Sequence, residues 1–162
     1  MQRFRREFEL PASSETVFGL LKDVDIQRRK ALADPNCVGA EVTVDDRGDQ
    51  VVVVLRRDAK PMWGEEPNRS TLTMTWSTGS VADETRRGTW VHRQHGQEKR
   101  SSAEGTLELR SFGAERCRLV TEGYIEIRVP LIGRRIEKKV AKVMASQGAS
   151  EREFYLVELK KR

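Results

Sequence analysis

Residues Gln2 to Leu10 alternate in character, with Phe4, Phe8 and Leu10 on one side and Arg3, Arg5, Glu7 and Glu9 on the other. That period of two predicts a half-buried strand, and Arg6 is the one charged residue on its apolar side. Pro11 ends the strand, Ser13 or Ser14 can cap a helix, and Val17, Phe18, Leu20 and Leu21 fall at helical spacing. Two short helices are expected, about Ser14 to Lys22 and Asp23 to Asp34, before Pro35. The period then returns to two. Val42 and Val44, the turn Asp46-Arg47-Gly48-Asp49 and the run Val51 to Leu55 predict a hairpin. Lys60 to Asn68 reads as a loop carrying Trp63, and Thr78-Gly79-Ser80 as a turn. Between and after them lie strands that place Leu72, Met74 and Trp76, then Gly88, Trp90 and His92, on single faces. Two more strands, about Ala103 to Ser111 and Arg116 to Val129, are joined through Phe112-Gly113-Ala114. Short links between consecutive strands predict an antiparallel meander with one solvated face.

After Pro130 the pattern becomes helical. At about 100° per residue, Ile132, Ile136, Val140, Val143, Gln147 and Phe154 form one stripe, with Arg134, Arg135, Lys138 and Lys142 behind it. A helix continuous to about Lys160 would extend about 40 Å, enough to cross a sheet of six or seven strands. Near its centre Gln147, Gly148, Ser150 and Glu151 stand where large aliphatic residues are expected. Either the helix breaks there or it faces space that protein does not fill.

One apolar sheet face and one long amphipathic helix must cover each other, which predicts an α+β domain with a curved antiparallel sheet gripping the helix. In this order of elements the chain resembles the START-like helix-grip superfamily, also called the polyketide cyclase and lipid-transport (SRPBCC) superfamily. The segment Val129-Pro130-Leu131-Ile132-Gly133-Arg134-Arg135-Ile136-Glu137 is similar to the turn-into-helix motif of an uncharacterised bacterial branch. Pro11-Ala12-Ser13-Ser14-Glu15-Thr16-Val17-Phe18 resembles the first strand-to-helix junction of the wider group. Where the usual pattern has Gly-Gly or Gly-Lys after the proline motif, this chain has Arg134 and Arg135. The resemblance extends over residues 1–162 as one domain. It implies a cavity between sheet and helix that holds a lipid, sterol, quinone or polyketide.

The inward positions then name an expected lining: Arg6, Leu72, Met74, Trp76, Trp90, His92, Leu107 and Ile125 from the sheet, and Val140, Met144, Gln147 and Glu151 from the helix. Trp76, Trp90 and Met74 fit a packed core as well as a pocket wall. Gln147 and Ser150 favour a cavity, because a buried polar group without a partner costs about 1–3 kcal/mol. Some relatives are cyclases or aromatases, for which Arg6, His92 and Tyr124 are the candidate proton-moving groups, only the first two facing inward. Arg6 is expected to pair with an acid such as Glu151. No GxSxG, Walker loop or GxGxxG occurs, and His92 with His95 does not make a metal site, so no catalytic residue, metal or cofactor is assigned.

Composition narrows the classes further. The 162 residues are 37% hydrophobic and 34% charged, which suits one globular domain. The longest aliphatic run, Val51 to Leu55, is far below the roughly 18 residues of a membrane span. The charged start, Met-Gln-Arg-Phe-Arg-Arg-Glu, lacks the apolar core of a signal peptide, so a cytoplasmic location is expected. Cys37 and Cys117 are too far apart in sequence for a CxxC pair and are expected to be small core thiols. The net charge of +5 is carried wholly by residues 134–162, with nine basic and four acidic side chains. Arg134, Arg135, Lys138 and Lys142 therefore offer either a solvated helix face or a docking surface for an anionic membrane. The absence of aromatic residues near them weighs against nucleic acid.

Overall fold

The computed structural model describes residues 1–61, 64–78 and 84–162; Trp63 and the Gly79-Ser80 turn lie outside them. In chain order the elements are β1 (Gln2–Leu10), α1 (Ser14–Leu21), α2 (Val24–Leu32), β2 (Cys37–Asp46), β3 (Gln50–Ala59), β4 (Asn68–Ser77), β5 (Thr85–Gln94), β6 (Ser101–Ser111), β7 (Cys117–Ile127), α3 (Gly133–Ser146) and α4 (Gly148–Lys160). Both short helices start on caps. The Ser13 hydroxyl accepts from Thr16 N–H at 3.1 Å and Asp23 Oδ1 accepts from Ile26 N–H at 2.9 Å, each worth about 1 kcal/mol.

The strands form one curved antiparallel sheet in the order β1-β7-β6-β5-β4-β3-β2. The meander runs from β2 to β7, and β1 joins it beside the last strand, Phe4 opposite Gly123 and Phe8 opposite Leu119. Cross-strand register puts side chains in rows on the concave face. One row is Phe8, Leu119, Leu109 and Arg86; the next is Arg6, Thr121, Leu107, Gly88, Trp76 and Val51. Then come Phe4, Gly123, Gly105, Trp90, Met74, Val53 and Val44, and finally Ile125, Ala103, His92, Leu72, Leu55 and Val42. Every sheet residue expected to face inward does so.

Two glycines decide how the third row packs. A Cβ on Gly123 would collide with the Trp90 ring, and one on Gly105 with the backbone of β7. Their absence lets the indole lie across both strands, donate from Nε1 to the Glu122 carbonyl at 2.9 Å, and meet Phe4 at 5.7 Å between ring centres. In the neighbouring row Trp76, 1% exposed, meets Phe18 of α1 edge-on at 5.7 Å. α1 thereby plugs one end of the concave face.

The C-terminal helix is long and bent rather than straight, with Gln147 joining α3 to α4. Hydrogen bonds from Gln147 N–H to Val143 O and from Glu151 N–H to Gln147 O carry the ladder through the bend. Arg6 Nη1 donates to Met144 O there at 3.1 Å, and a side chain inserted at the helix backbone is a recognised cause of bending. The buried face differs from the stripe read off the sequence. Gly133, Glu137, Ala141, Gly148, Tyr155 and Glu158 are buried, whereas Ile132, Val143 and Gln147 are exposed and Ile136, Val140 and Phe154 half-buried. On α3 the packed face is rotated by about one residue position, roughly 100°. The reason is closeness: α3 packs on β1 and β7, and a Cβ at Gly133 would collide with the Ile127 carbonyl oxygen. Small residues must face such a contact, so the larger aliphatic ones turn aside.

Candidate functional site

The concave face divides into a closed end and a looser one. Around α1, Val17, Leu20, Val51, Trp76 and Leu109 are at most 1% exposed. Toward the start of α3, Leu55, Leu72, Met74, His92 and Ala103 on the sheet and Ile136, Val140 and Met144 on the helix are only half-buried. The main backbone contacts of α3 fall on β1 and β7, those of α1 on β6 and β7, and those of α2 on β2 and β3. No helix among the described residues makes its main contacts on β4 or β5, and the half-buried residues there form an apolar band partly open to solvent.

The expected lining residues separate accordingly. Leu72, Met74, His92, Val140 and Met144 belong to the half-buried band. Trp76, Trp90, Leu107 and Ile125, all 1–6% exposed, form the packed floor beneath and beside it. Gln147 is exposed, as is Ser150, whose hydroxyl donates to Gln147 O at 3.0 Å; neither is the buried polar group expected from the helix stripe. The rotated face of the helix accounts for both.

Arg6 and Glu151 pair, with Arg6 Nη2 to Glu151 Oε2 at 3.2 Å. They anchor a polar cluster in which Lys30 Nζ lies 3.4 Å from Glu151 Oε1 and donates to Tyr155 Oη at 3.2 Å. Gln27 Nε2 also donates to Tyr155 Oη at 3.0 Å and to Leu20 O at 2.9 Å. Burial lowers the affinity of Lys30 for its proton, but Glu151 and Tyr155 raise it by more, so the ammonium is held charged. Burial pushes the Tyr155 hydroxyl up as well. A network of this kind fixes α2 against the bend of the C-terminal helix. Lys30, Tyr155 and Gln27 escaped the sequence reading because their partners lie more than 120 residues apart along the chain.

His92 is held neutral. Burial first, then the charge of Arg57, lowers its pKa below that of a free imidazole. Arg57 occupies an inward position of β3, in the same parity as Val51, Val53 and Leu55. One Nη donates to Asp34, while its Nε is buried with no hydrogen-bond partner. A cation continuing an apolar parity was the available signal, the same one that singled out Arg6. Tyr124, by contrast, lies on the outer face with its hydroxyl on Glu104. Cys37 and Cys117 are both buried and free of any disulfide, and burial pushes the Cys117 thiol up to about 11.

At the β7–α3 junction a surface cleft of about 460 Å³ is lined by Ile127, Arg128, Val129, Pro130, Leu131, Gly133 and Arg134. Leu131 stands fully exposed there at φ 71°, next to Ile132, which is 49% exposed. Arg134, Arg135, Lys138 and Lys142 are exposed nearby and form no ion pair among the described residues. No helix among the described residues is long and apolar enough to cross a membrane.

A curved antiparallel sheet gripping a long C-terminal helix, with two short helices after the first strand, is the START-like helix-grip fold. Solved structures bear this out. An aromatase/cyclase from a Streptomyces species superposes with a TM-score of 0.63 at 17% identity, over 99% of this chain and 94% of that one. A START superfamily protein from Mycobacterium smegmatis gives 0.58 at 14% identity, over 97% of each chain. The lipid transfer and protein localization domain of human StarD13 gives 0.62 at 14%, over 94% of this chain and 76% of that one. Within that class the chain belongs to the family described as "Protein of unknown function (DUF2505)", which matches residues 5–156. Among curated proteins none matches it in sequence.

Proposed function

We propose that this protein binds a hydrophobic or amphipathic small molecule, of the lipid, polyketide, quinone or sterol type, between the inner face of β3–β5 and the apolar side of α3. The observation that carries the reading is the half-buried band of Leu55, Leu72, Met74, Val140 and Met144, set beside a tightly packed floor. Covering such a band contributes about 25 cal/mol per Å² of apolar surface removed from water. Trp76, Trp90, Leu107 and Ile125 act as the wall behind it, and His92 is the polar group best placed to orient a ligand. Arg6 and Glu151 hold the helix rather than the ligand. An aromatase/cyclase and a lipid transfer domain among the proteins that share the fold lend the reading support. Native mass spectrometry of the purified protein, followed by solvent extraction, tests it. A reproducible bound small molecule, lost in Met74→Glu or Val140→Glu, is expected; ligand-free protein that also fails to take up hydrophobic probes overturns it.

Two further readings rest on particular residues. A cyclase-like activity depends on His92, since Arg6 is committed to Glu151; His92→Ala should abolish turnover of a polyketide-like substrate, and retained turnover removes it as an acid or base. Docking on an anionic membrane is favoured by the exposed Leu131–Ile132 tip beside Arg134, Arg135, Lys138 and Lys142.

A further inference from the structure

Three arginines project onto the concave face, and they are not equivalent. Arg6 has a buried Nε without an acceptor, but its Nη groups are taken by Glu151, Met144 O and Gln147 Oε1 and it lies under the helix bend. Arg86 stacks on the Phe18 ring at 4.1 Å and pairs with Glu15 at 2.9 Å, at the end that α1 closes. Arg57 stands at the opposite, looser end. Its Asp34 contact uses one of five donors, and its Nε–H, removed from water, has no acceptor. A buried donor left in that state is destabilising, and an acceptor arriving in the groove would relieve it.

Register places His92 beside it. His92 pairs with Leu72, Leu72 with Leu55, and Arg57 follows Leu55 by two residues on the same face. Two strand spacings across and two residues along separate the Cα atoms by about 12 Å, a gap that an arginine side chain largely spans. The imidazole has no hydrogen-bond partner among the described residues, and the pair sits at the edge of the Leu55–Leu72–Met74 band. A cation with an unused donor, a neutral imidazole and an adjoining apolar strip together fit a molecule with an acidic end and an apolar body.

Building on the proposed groove, we infer that Arg57 and His92 form its anion-recognising end and that the ligand is an amphiphile headed by a carboxylate. The carboxylate accepts from Arg57 Nε–H and from the protonated ring nitrogen of His92, while its chain lies along Leu55, Leu72 and Met74 toward Val140 and Met144. Asp34 competes for the same guanidinium and limits the affinity.

The test compares oleate with oleyl alcohol, identical in chain and different in head, by calorimetric titration below their aggregation concentrations. Oleate should bind the wild-type protein about tenfold more tightly or better, a difference in keeping with one charge-assisted hydrogen bond. Arg57→Gln should bring oleate to the level of the alcohol and leave the alcohol unchanged. Asp34→Asn should tighten oleate alone, because it frees the guanidinium; a merely structural role for the Asp34–Arg57 pair would weaken both. Equal binding of acid and alcohol by the wild type overturns the inference while leaving the groove intact. Binding of neither overturns the groove reading and this one with it. If Arg57→Gln does not fold, the wild-type and Asp34→Asn comparisons decide.

Discussion

Glu151 is the one carboxylate, among the described residues, shared by Arg6 and Lys30. It faces both Arg6 and Lys30, with its side chain only 9% exposed. Replacing it by Gln leaves two cations near the bend short of a counter-charge, and a stability loss of about 3 kcal/mol is expected by urea denaturation. Glu158 behaves differently. Hydrogen bonds from Arg29, then from Lys161, hold its carboxyl down to about 2 against the opposing effect of burial. A depressed carboxylate stabilises the fold above its ordinary value near 4.5 and loses that contribution as pH falls toward 2. Melting temperature should therefore decline through that window, and Glu158→Gln should flatten the decline while lowering stability at neutral pH. His92 adds a second, milder slope in the same direction. Its lowered affinity for a proton means that stability is complete above the ordinary histidine range and is eroded as pH falls through it.

At the level of elements, the strands and short helices were readable because their signals are local. Alternation, caps and turn residues such as Gly48 and Gly113, both at positive φ, place β1 to β7 within a few residues of their positions. The helix face was not readable in the same way. Apolar periodicity identifies which side of a helix avoids water, but on α3 the side that touches the sheet is chosen by backbone proximity, which favours Gly133 and Ala141. Glycine is thus informative only once its neighbours are known. Gly123→Ala drives a methyl into the Trp90 ring and should cost about 2–3 kcal/mol, as overpacking does. Gly19→Ala in α1 meets nothing within 4 Å and should stabilise by about 0.5–1 kcal/mol. Thermal melts of the two variants, moving in opposite directions, check both. For the candidate site, which sheet residues share the inward face was foreseeable from parity. Arg57 was marked only by continuing that parity past the apolar run of its strand, and the Lys30–Tyr155 pairing by nothing local, since it joins distant segments.

For the molecule as a whole, one end combines basic charge with exposed apolar side chains, although Val38, Phe112 and Val157 are exposed elsewhere. The basic side chains of α3, the Leu131–Ile132 tip and the looser end of the concave face all gather where β7 hands over to α3. Contact with an anionic bilayer would bring a groove mouth to the lipid surface. Co-sedimentation with phosphatidylserine-containing vesicles at low salt should be lost on raising ionic strength and in a variant with Arg134, Arg135, Lys138 and Lys142 changed to Gln. Leu131→Asp should weaken it without altering the melting temperature. Absence of binding to such vesicles at low salt removes the membrane reading and leaves small-molecule binding untouched.

The pairing of β1 with β7 also governs the order in which the protein can fold. Gln2 meets Ile125 and Leu10 meets Cys117, so β1 finds its neighbour only after more than a hundred further residues have been synthesised. Until then Phe4, Phe8 and Leu10 have neither a strand beside them nor the C-terminal helix above them. Closing so long a loop is entropically slow, which predicts folding in the range of milliseconds to seconds rather than microseconds. The nascent chain consequently carries an unpaired apolar strand until β7 and the helices after it have been made, and those elements are what conceal it.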